Sequence, residues 1–298
     1  MSRRTKIYLC LARPLLKGKA GTNSMTQSTV ESISVESVVS ETIRIHFQPI
    51  VNLKDGSLIG YECLSRGPEG TSLEDPERLF REALRRNLSF ELERECQKKL
   101  LVELPGIPVG AYIFVNLEPH LLQSGQFIDL PLFLAIDRID PGRVVIELTE
   151  RHSELDSLEL KRNVNFLRSL GFKIALDDIQ KTFADLNSIA HLLPDFMKIN
   201  HSLTRKLIAD KDSHEFLNLL RKTAVKTFSH LIAEGIEDFD QARELSEMGI
   251  GCGQGYFFGM PKPKMIYINK IMSSWELEAT DLDVEILAEG SQEVYQVA

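Results

Sequence analysis

Short runs of apolar, often β-branched residues recur along the middle of the chain, and each run ends at a polar or charged side chain. The residues that close these runs are Asn116, Glu147, the pair Asp177-Asp178, Lys198 and Glu234. Successive run ends are 20 to 36 residues apart when Gln254 is included, which suits strands that alternate with helices. The pattern therefore predicts βα units in a parallel sheet.

Amphipathic segments fill the intervals between the apolar runs. Apolar residues three and four positions apart predict helices over 155–170, 183–193, 214–228 and 239–248. Gly171 and Gly249 follow two of these segments, at positions typical of a helix C-terminus. An alternating body of this length favours one closed (β/α)8 barrel of the TIM type over two separate domains.

We place the barrel at residues 42–275. Residues 1–41 are rich in small polar residues, which predicts a disordered leader. Residues 276–298 carry seven acidic residues and no base, which predicts a mobile acidic tail or a short docking segment. About forty residues before the barrel leave little room for a sensor domain, so we expect a stand-alone enzyme or a subunit regulated in trans.

Composition narrows the class of protein. The formal net charge is −8, and the body outside the two charged ends is as acidic as the whole, which argues against a nucleic-acid-binding face. No apolar run approaches the ~18 residues of a membrane span. The four cysteines are far apart in sequence and form no CxxC pair, so we expect reduced thiols and a cytoplasmic protein.

In barrels of this type the active site lies where strands end, so the polar residues at those ends are the candidate chemistry. Five of the eight are carboxylates, and so many anions at one barrel mouth require cations among them. Carboxylate and amide oxygens favour Mg²⁺ or Mn²⁺, and two such ions are a recurrent solution for phosphodiester hydrolysis. The eight candidates are Glu62, Asn116, Glu147, Asp177, Asp178, Lys198, Glu234 and Gln254.

Each candidate alone has a simpler interpretation. A single glutamate or lysine at a strand end is more often a solvated rim residue, and Asn116 or the Asp177-Asp178 pair could instead cap the helix that follows. Gln254-Gly255 could be a turn. Their joint occurrence on consecutive strand ends favours the functional interpretation.

These residues stand in motifs that resemble the EAL family. Residues 47–51 (FQPIV) and 61–66 (YECLSR) are similar to the opening of such domains, with Cys63 in place of the usual alanine. Further motifs follow in the family's order: Val115-Asn116, Glu147-Leu148-Thr149-Glu150, Leu176-Asp177-Asp178, Lys198-Ile199, Ala233-Glu234-Gly235-Ile236-Glu237 and Gln254-Gly255-Tyr256. The resemblance covers roughly residues 44–265.

The resemblance implies a two-metal phosphodiesterase, with Mg²⁺ or Mn²⁺, that cuts cyclic di-GMP to linear pGpG. The first metal would be held by Glu62, Asn116, Glu147 and Asp177, and the second by Asp177, Asp178 and Glu234. Lys198 would contact the nucleophilic water with help from Gln254, Gln48 and Arg66 would touch substrate, and Glu150 and Glu237 would support the loop after Asp178. The resemblance also implies a homodimer, and the short segment before the barrel leads us to expect a regulatory protein partner.

The chain departs from the family after the paired aspartates. The usual Phe-Gly-x-Gly is replaced by Ile179-Gln180-Lys181-Thr182, so we expect backbone strain at Gln180 or Thr182 if the loop keeps a positive φ. Asn200 replaces the aspartate that closes the Lys-Ile-Asp motif.

This departure keeps a second class of function open, a cyclic di-GMP receptor that binds without efficient cleavage and acts through a protein partner. An unrelated barrel phosphoesterase or an enolase-like lyase would explain the acids but not the motifs around Gln48, Arg66 and Gln254.

Overall fold

The computed structural model describes residues 43–149, 158–180, 191–210 and 213–265, together with Val35 and Ile189. Strands in these ranges close into a barrel in chain order. They are β1 Arg44–Asn52, β2 Leu58–Arg66, β3 Tyr112–Asn116, β4 Val144–Thr149, β5 Lys173–Ile179, β6 Phe196–Ile199, β7 His230–Ala233 and β8 Cys252–Gln254. The predicted barrel is confirmed. The acidic tail and all of the predicted leader 1–41 except Val35 lie outside the described residues, and Val35 is helical and buried in the apolar core, which the expectation of a disordered leader did not foresee.

The first strand corrects the expectation of an all-parallel sheet. β2 to β8 pair in parallel, but β1 runs antiparallel to both β2 and β8. The reversal follows from the turn after β1, where Asp55 Oδ1 accepts a hydrogen bond from the Ser57 amide at 2.9 Å and Gly56 has a φ of 68°. An Asp-Gly turn between two apolar strands produces a hairpin, so β1 and β2 are antiparallel neighbours.

Helices pack around the outside of the barrel. They are α1 Pro76–Arg85, α2 Ser89–Glu103, α3 Pro119–Ser124, α4 Pro131–Leu134, α5 Leu158–Ser169, α6 His201–Ala209, α7 His214–Thr227 and α8 Phe239–Glu247. Two predicted helices, 214–228 and 239–248, are confirmed to within one residue, and the described part of 155–170 is helical. Most of the predicted helix 183–193 lies outside the described residues. Gly171 and Gly249 have φ of 97° and 84°, as C-terminal caps require.

The apolar residues form two cores. The larger one lies between the outer faces of the strands and the helices. The smaller one fills the barrel lumen and consists of Ile50, Phe114, Val145, Ala175, Phe196, Ile232 and Cys252. Because this cluster fills the lumen, the barrel is a packed scaffold rather than a pore.

The described cysteines agree with the expectation of reduced thiols. Cys63, Cys96 and Cys252 are buried and form no disulfide, and Cys10 lies outside the described residues. Burial raises the pKa of Cys252 to about 11, so this thiol is unreactive. Where the structure describes the chain, we find no helix with the length and apolar character that a bilayer crossing requires.

Candidate metal centre

The candidate site residues lie on top of the lumen core. Side chains two residues apart on a strand point to the same side, and most of the site residues, though not Glu62 or Asp178, stand two positions from a residue of the lumen cluster. Asn116 follows Phe114, Glu147 follows Val145, and the same spacing holds for Asp177, Lys198, Glu234 and Gln254. On the reversed strand β1 the order is inverted, since Gln48 precedes Ile50. The period of the strands thus directs these side chains into one mouth of the barrel.

Several candidates do not end their strands as expected: Asp177 and Asp178 are followed by Ile179 in β5, Lys198 is followed by Ile199 in β6, and Glu62 and Glu147 also lie within their strands. Glu62 lies in the middle of β2, and Glu147 is followed in β4 by two more strand residues. Asn116 and Gln254 do end their strands. Position in the lumen, rather than the end of pairing, is what these residues share.

Lys198 is the centre of the cluster. Its side chain is fully buried, and its Nζ atom lies near one oxygen of each of four carboxylates. The distances are 2.9 Å to Glu147 Oε1, 3.1 Å to Glu234 Oε1, 3.3 Å to Glu62 Oε2 and 3.4 Å to Asp177 Oδ1. Burial alone would lower the pKa of Lys198, but these four carboxylates together hold it well above its usual value. Lys198 is therefore an ammonium ion shared by four acids.

One ammonium does not neutralise four carboxylates, and the pKa values of the acids reflect this imbalance. Burial raises the pKa of Glu147 well above its ordinary value, raises that of Asp177, and raises that of Glu234 to about 8. Burial also opposes ionisation of Glu62, yet Lys198 and hydrogen bonds from neighbouring amides lower its pKa overall. If all four carboxylates were ionised, the cluster would hold more negative charge than its single cation balances, and the raised pKa values of three of them oppose that state.

Side-chain amides fix the carboxylate of Glu62. Gln254 Nε2 donates to Glu62 Oε2 at 2.6 Å and lies 3.0 Å from Gln48 Oε1, while Asn116 Nδ2 donates to Glu62 Oε1 at 3.2 Å. Gln48 Nε2 donates to the Gly259 carbonyl at 3.2 Å. The antiparallel register of β1, which sets Gln48 opposite Glu62 and Ile50 opposite Gln254, makes this network possible.

The paired aspartates sit in a β-bulge. Leu176 pairs with Met197 and Ile179 with Ile199, so two residues of β5 oppose Lys198 alone. Asp178 has a φ of 63°, as a bulge residue in the left-handed region does. The bulge allows the carboxylates of both Asp177 and Asp178 to lie at the same mouth of the barrel, whereas a regular strand would direct one of them outward. The predicted departure from the regular pleat is present.

The bulge corrects the expected position of backbone strain. Asp178 is the residue with positive φ, and Gln180 is not among the described non-glycine residues with positive φ. Aspartate tolerates the left-handed region better than most residues, so the strain is modest. Thr182 lies outside the described residues.

The remaining predicted residues are more peripheral. Arg66 ends β2, is partly buried and donates from Nη1 to the Ser65 carbonyl at 2.9 Å. Glu237 is exposed, and its amide donates to Gln241 Oε1 at 3.0 Å. Glu150, like most of the loop that it would support, lies outside the described residues, so the loop-supporting roles remain predictions.

His46 was missed by the sequence analysis. It stands two residues before Gln48 on β1, so it points into the same mouth of the barrel. Burial lowers its pKa to about 4, and the charges of Arg66 and Arg44 add to this effect. A neutral imidazole therefore stands near Arg66. The signal was available, since the residue two positions from a site residue on a strand shares its face.

The donor set fits divalent cations. Glu147 Oε1 and Oε2 and Asp177 Oδ1 are buried and make no well-aligned hydrogen bond within the described part of the chain. Buried carboxylate oxygens are unfavourable without a compensating positive charge, and Lys198 Nζ, 2.9 Å from Glu147 Oε1 and 3.4 Å from Asp177 Oδ1, supplies a single one. No described group of three His, Cys, Asp or Glu side chains is already arranged at ligand distances, and Lys198 Nζ stands at the centre instead. The chemistry of the oxygens therefore fits Mg²⁺ or Mn²⁺, with Lys198 as the present counter-charge.

Comparisons with known proteins agree with this geometry. The sequence profile of the EAL domain matches residues 33–261. The probable cyclic di-GMP phosphodiesterase PdeG of Escherichia coli (strain K12) is 29% identical over 254 residues, which are 83% of this chain and 50% of that protein. The chain spans about half the length of the curated relatives that it matches.

Solved structures share the fold. One is the YkuI protein of Bacillus subtilis, which has an EAL domain and was solved in complex with c-di-GMP and calcium. It aligns with a TM-score of 0.67 at 22% identity, over 78% of this chain and 59% of that chain. The BlrP1 protein of Klebsiella pneumoniae, in a manganese and c-di-GMP complex, aligns with a TM-score of 0.65 at 23% identity, over 75% and 56% respectively. The profile match extends over most of the chain and over all eight barrel strands, and this chain belongs to the EAL domain family.

Proposed function

We propose that this chain is a metal-dependent phosphodiesterase that hydrolyses cyclic di-GMP to linear pGpG in bacterial second-messenger signalling. The observation that carries the proposal is the buried Lys198 ammonium, shared by four carboxylates at the mouth of an EAL barrel. PdeG is a probable cyclic di-GMP phosphodiesterase, and BlrP1 was solved with manganese and c-di-GMP, which supports the same chemistry here.

Two cations would share the acidic cluster. Glu62, Asn116, Glu147 and Asp177 would hold the first, and Asp177, Asp178 and Glu234 the second. When bound, such ions hold the phosphate and lower the pKa of an attacking water. Their positive charge would also favour the ionised forms of Glu147, Asp177 and Glu234, whose pKa values are raised first by burial and further by repulsion from neighbouring carboxylates.

The other residues would position the reactants. Lys198 would present a fixed positive charge to the attacking water and to the charge that develops on the phosphate. Gln254 would hold Glu62 in one orientation through its 2.6 Å hydrogen bond. Arg66, at the end of β2, would bind a phosphate oxygen of the substrate. Gln48, on the neighbouring strand β1, would also contact the substrate.

A receptor function is the second candidate, and one observation favours it. Asp178 is held by two side-chain amides, from Asn200 at 2.9 Å and from Gln180 at 3.2 and 3.3 Å. If these amides keep Asp178 from the second cation, cyclic di-GMP would bind at the first cation and turn over slowly.

Turnover at saturating cation decides between the two candidates, and turnover by metal-free protein tests the metal requirement. Protein stripped with a chelator should be inactive, and Mg²⁺ or Mn²⁺ should restore conversion of cyclic di-GMP to a linear dinucleotide. Glu62→Gln should abolish turnover, whereas Glu247→Gln, at an exposed position at the end of α8, should not change it. Binding of cyclic di-GMP without turnover at saturating cation would favour the receptor. Full turnover in excess chelator would refute the metal mechanism.

The proposal also includes a barrel domain at 42–275, a cytoplasmic location, a homodimer and a regulatory protein partner. Mass measurement in solution, with and without cyclic di-GMP, tests the dimer.

A further inference from the structure

Asn200 links the end of β6 to the carboxylate of Asp178. It is buried, and it is the single residue between β6 and α6, so its backbone is fixed from both sides. Its Nδ2 atom donates to Asp178 Oδ1 at 2.9 Å. The bulge at Asp178 brings that carboxylate within reach of the next strand.

The orientation of the Asn200 amide is determined by its neighbours. Oδ1 is the N-cap acceptor of α6, since it receives the Leu203 amide at 3.0 Å and the Ser202 hydroxyl at 2.8 Å. The opposite orientation would set the carbonyl oxygen against the Asp178 carboxylate and the NH₂ group against the Leu203 N–H. Both contacts would be repulsive, so the helix cap aims the NH₂ group at Asp178.

An aspartate at position 200 would cap the helix equally well but could not donate to Asp178. Two carboxylate oxygens would then stand about as close as the present hydrogen bond, without a proton between them. Such a contact is unfavourable unless a cation joins the two groups.

We propose that Asn200 is a positioning residue that holds Asp178 by a donated hydrogen bond and thereby sets the affinity of the second cation. This inference rests on the proposed function for its cation and on geometry for its hydrogen bond. Loss of a hydrogen bond to a metal-ligating side chain commonly lowers metal affinity by about 10–100-fold. Loss of the Asn200 donor should therefore weaken cation binding at Asp178 by on the order of tenfold.

Three substitutions separate this role from that of a simple helix cap. Asn200→Ser keeps a good cap but loses the amide group that reaches Asp178, Asn200→Asp keeps the cap and adds a charge, and Asn200→Ala loses both the cap and the amide. If Asn200 acts only as a cap, the Ser and Asp variants should behave like wild type, and only the Ala variant should melt earlier. If Asn200 positions Asp178, the Asp variant should melt at a lower temperature than the Ser variant in chelator. In Mn²⁺ the two melting temperatures should become equal.

The test measures thermal melting in chelator and in Mn²⁺, and Mn²⁺ affinity by titration of stripped protein, so it does not depend on activity. We expect the Ser variant to bind the weaker Mn²⁺ about tenfold less tightly than wild type. Mn²⁺ affinity in the Ser variant equal to or above that of wild type would overturn the inference, and tighter binding would favour the receptor, in which the amides keep Asp178 from the second cation. If wild type itself bound no Mn²⁺, the metal centre of the proposed function and the cation half of this inference would both fail. The order of melting in chelator would still decide whether Asn200 holds Asp178.

Discussion

Lys198 Nζ and Glu147 Oε1 lie 2.9 Å apart, and both side chains are completely excluded from solvent. A buried ion pair is strongly destabilised when one partner is removed, because the other charge is left uncompensated. Three further carboxylates surround the same ammonium, so Lys198 has a structural role in addition to the role proposed for it in hydrolysis. The two roles can be separated experimentally.

Replacement of Lys198 by methionine should lower the free energy of unfolding in chelator by about 3–5 kcal/mol, the usual effect of breaking a buried pair. Mn²⁺ should restore much of this loss, since the carboxylates then regain a counter-charge. Thermal melting in chelator and in Mn²⁺ measures both effects, and exposed Lys206→Met on α6 is the matched control. If Mn²⁺ raised the melting temperature of the Lys198→Met variant no more than that of wild type, Lys198 and cations would not share the cluster.

Glu93 on α2 predicts a pH dependence of stability. Its side chain is buried, and Gln97 Nε2 donates to it at 3.2 Å. Burial, with a smaller contribution from Glu118, raises its pKa from 4.5 to about 8. Between these values the folded protein retains a proton that the unfolded chain has released, so the stability present below pH 4.5 is lost as the pH rises to about 8.

Glu93→Gln removes this titration. Relative to the variant, wild type should lose up to about 1.4 kcal/mol of unfolding free energy per pH unit within that window. Urea denaturation of both proteins at several pH values across the window measures the difference, in which other titrating groups largely cancel. A difference that does not change with pH would mean that Glu93 is ionised in the folded protein.

The sequence predicted the parts of the fold that depend on local periodicity. Residues such as Asn116 and Lys198 follow apolar runs whose alternation is visible in one dimension, and the strand period then directs their side chains into the lumen. The motif resemblance added Gln48 and Arg66, which periodicity alone does not distinguish from other strand residues.

Features that depend on pairing between distant segments were less accessible. The antiparallel direction of β1 had a local signal in Asp55-Gly56, but the closure of β1 against β8 did not. The bulge was expected only in outline, and the left-handed backbone of Asp178 could not be distinguished from strain at Gln180. The hydrogen bond from Asn200 to Asp178 joins two residues that are 22 positions apart in the sequence.

Gly255 predicts a steric effect beside the site. A Cβ atom at this position would lie 2.0 Å from the Ile236 carbonyl oxygen and 2.3 Å from the Ile236 nitrogen, whereas a Cβ at Gly251 would meet nothing within 4 Å. Gly255→Ala should therefore lower the free energy of unfolding by about 1–3 kcal/mol. Gly251→Ala should lower it by less than about 0.5 kcal/mol. Chemical denaturation measures both. Equal stability of the two variants would show that the segment after β7 moves away without loss.

Gln180 allows a test of whether the loop after the paired aspartates is limited by its backbone or by its side chain. Its Nε2 atom lies 3.2 and 3.3 Å from the two carboxylate oxygens of Asp178, and its φ is not in the positive region. The side chain, rather than the missing glycine, is therefore the feature that acts on Asp178.

On this basis Gln180→Gly and Gln180→Ala should have the same effect on kcat and KM, because both remove the amide and only glycine changes the freedom of the backbone. Loss of one donor to Asp178 should alter the concentration of Mn²⁺ needed for half-maximal turnover, and to the same extent in both variants. A glycine variant with a clearly higher kcat than the alanine variant would restore backbone strain as the limit. Steady-state kinetics across a range of Mn²⁺ concentrations distinguish the two outcomes, since relief of strain raises kcat at saturating cation whereas a lost donor shifts only the cation dependence.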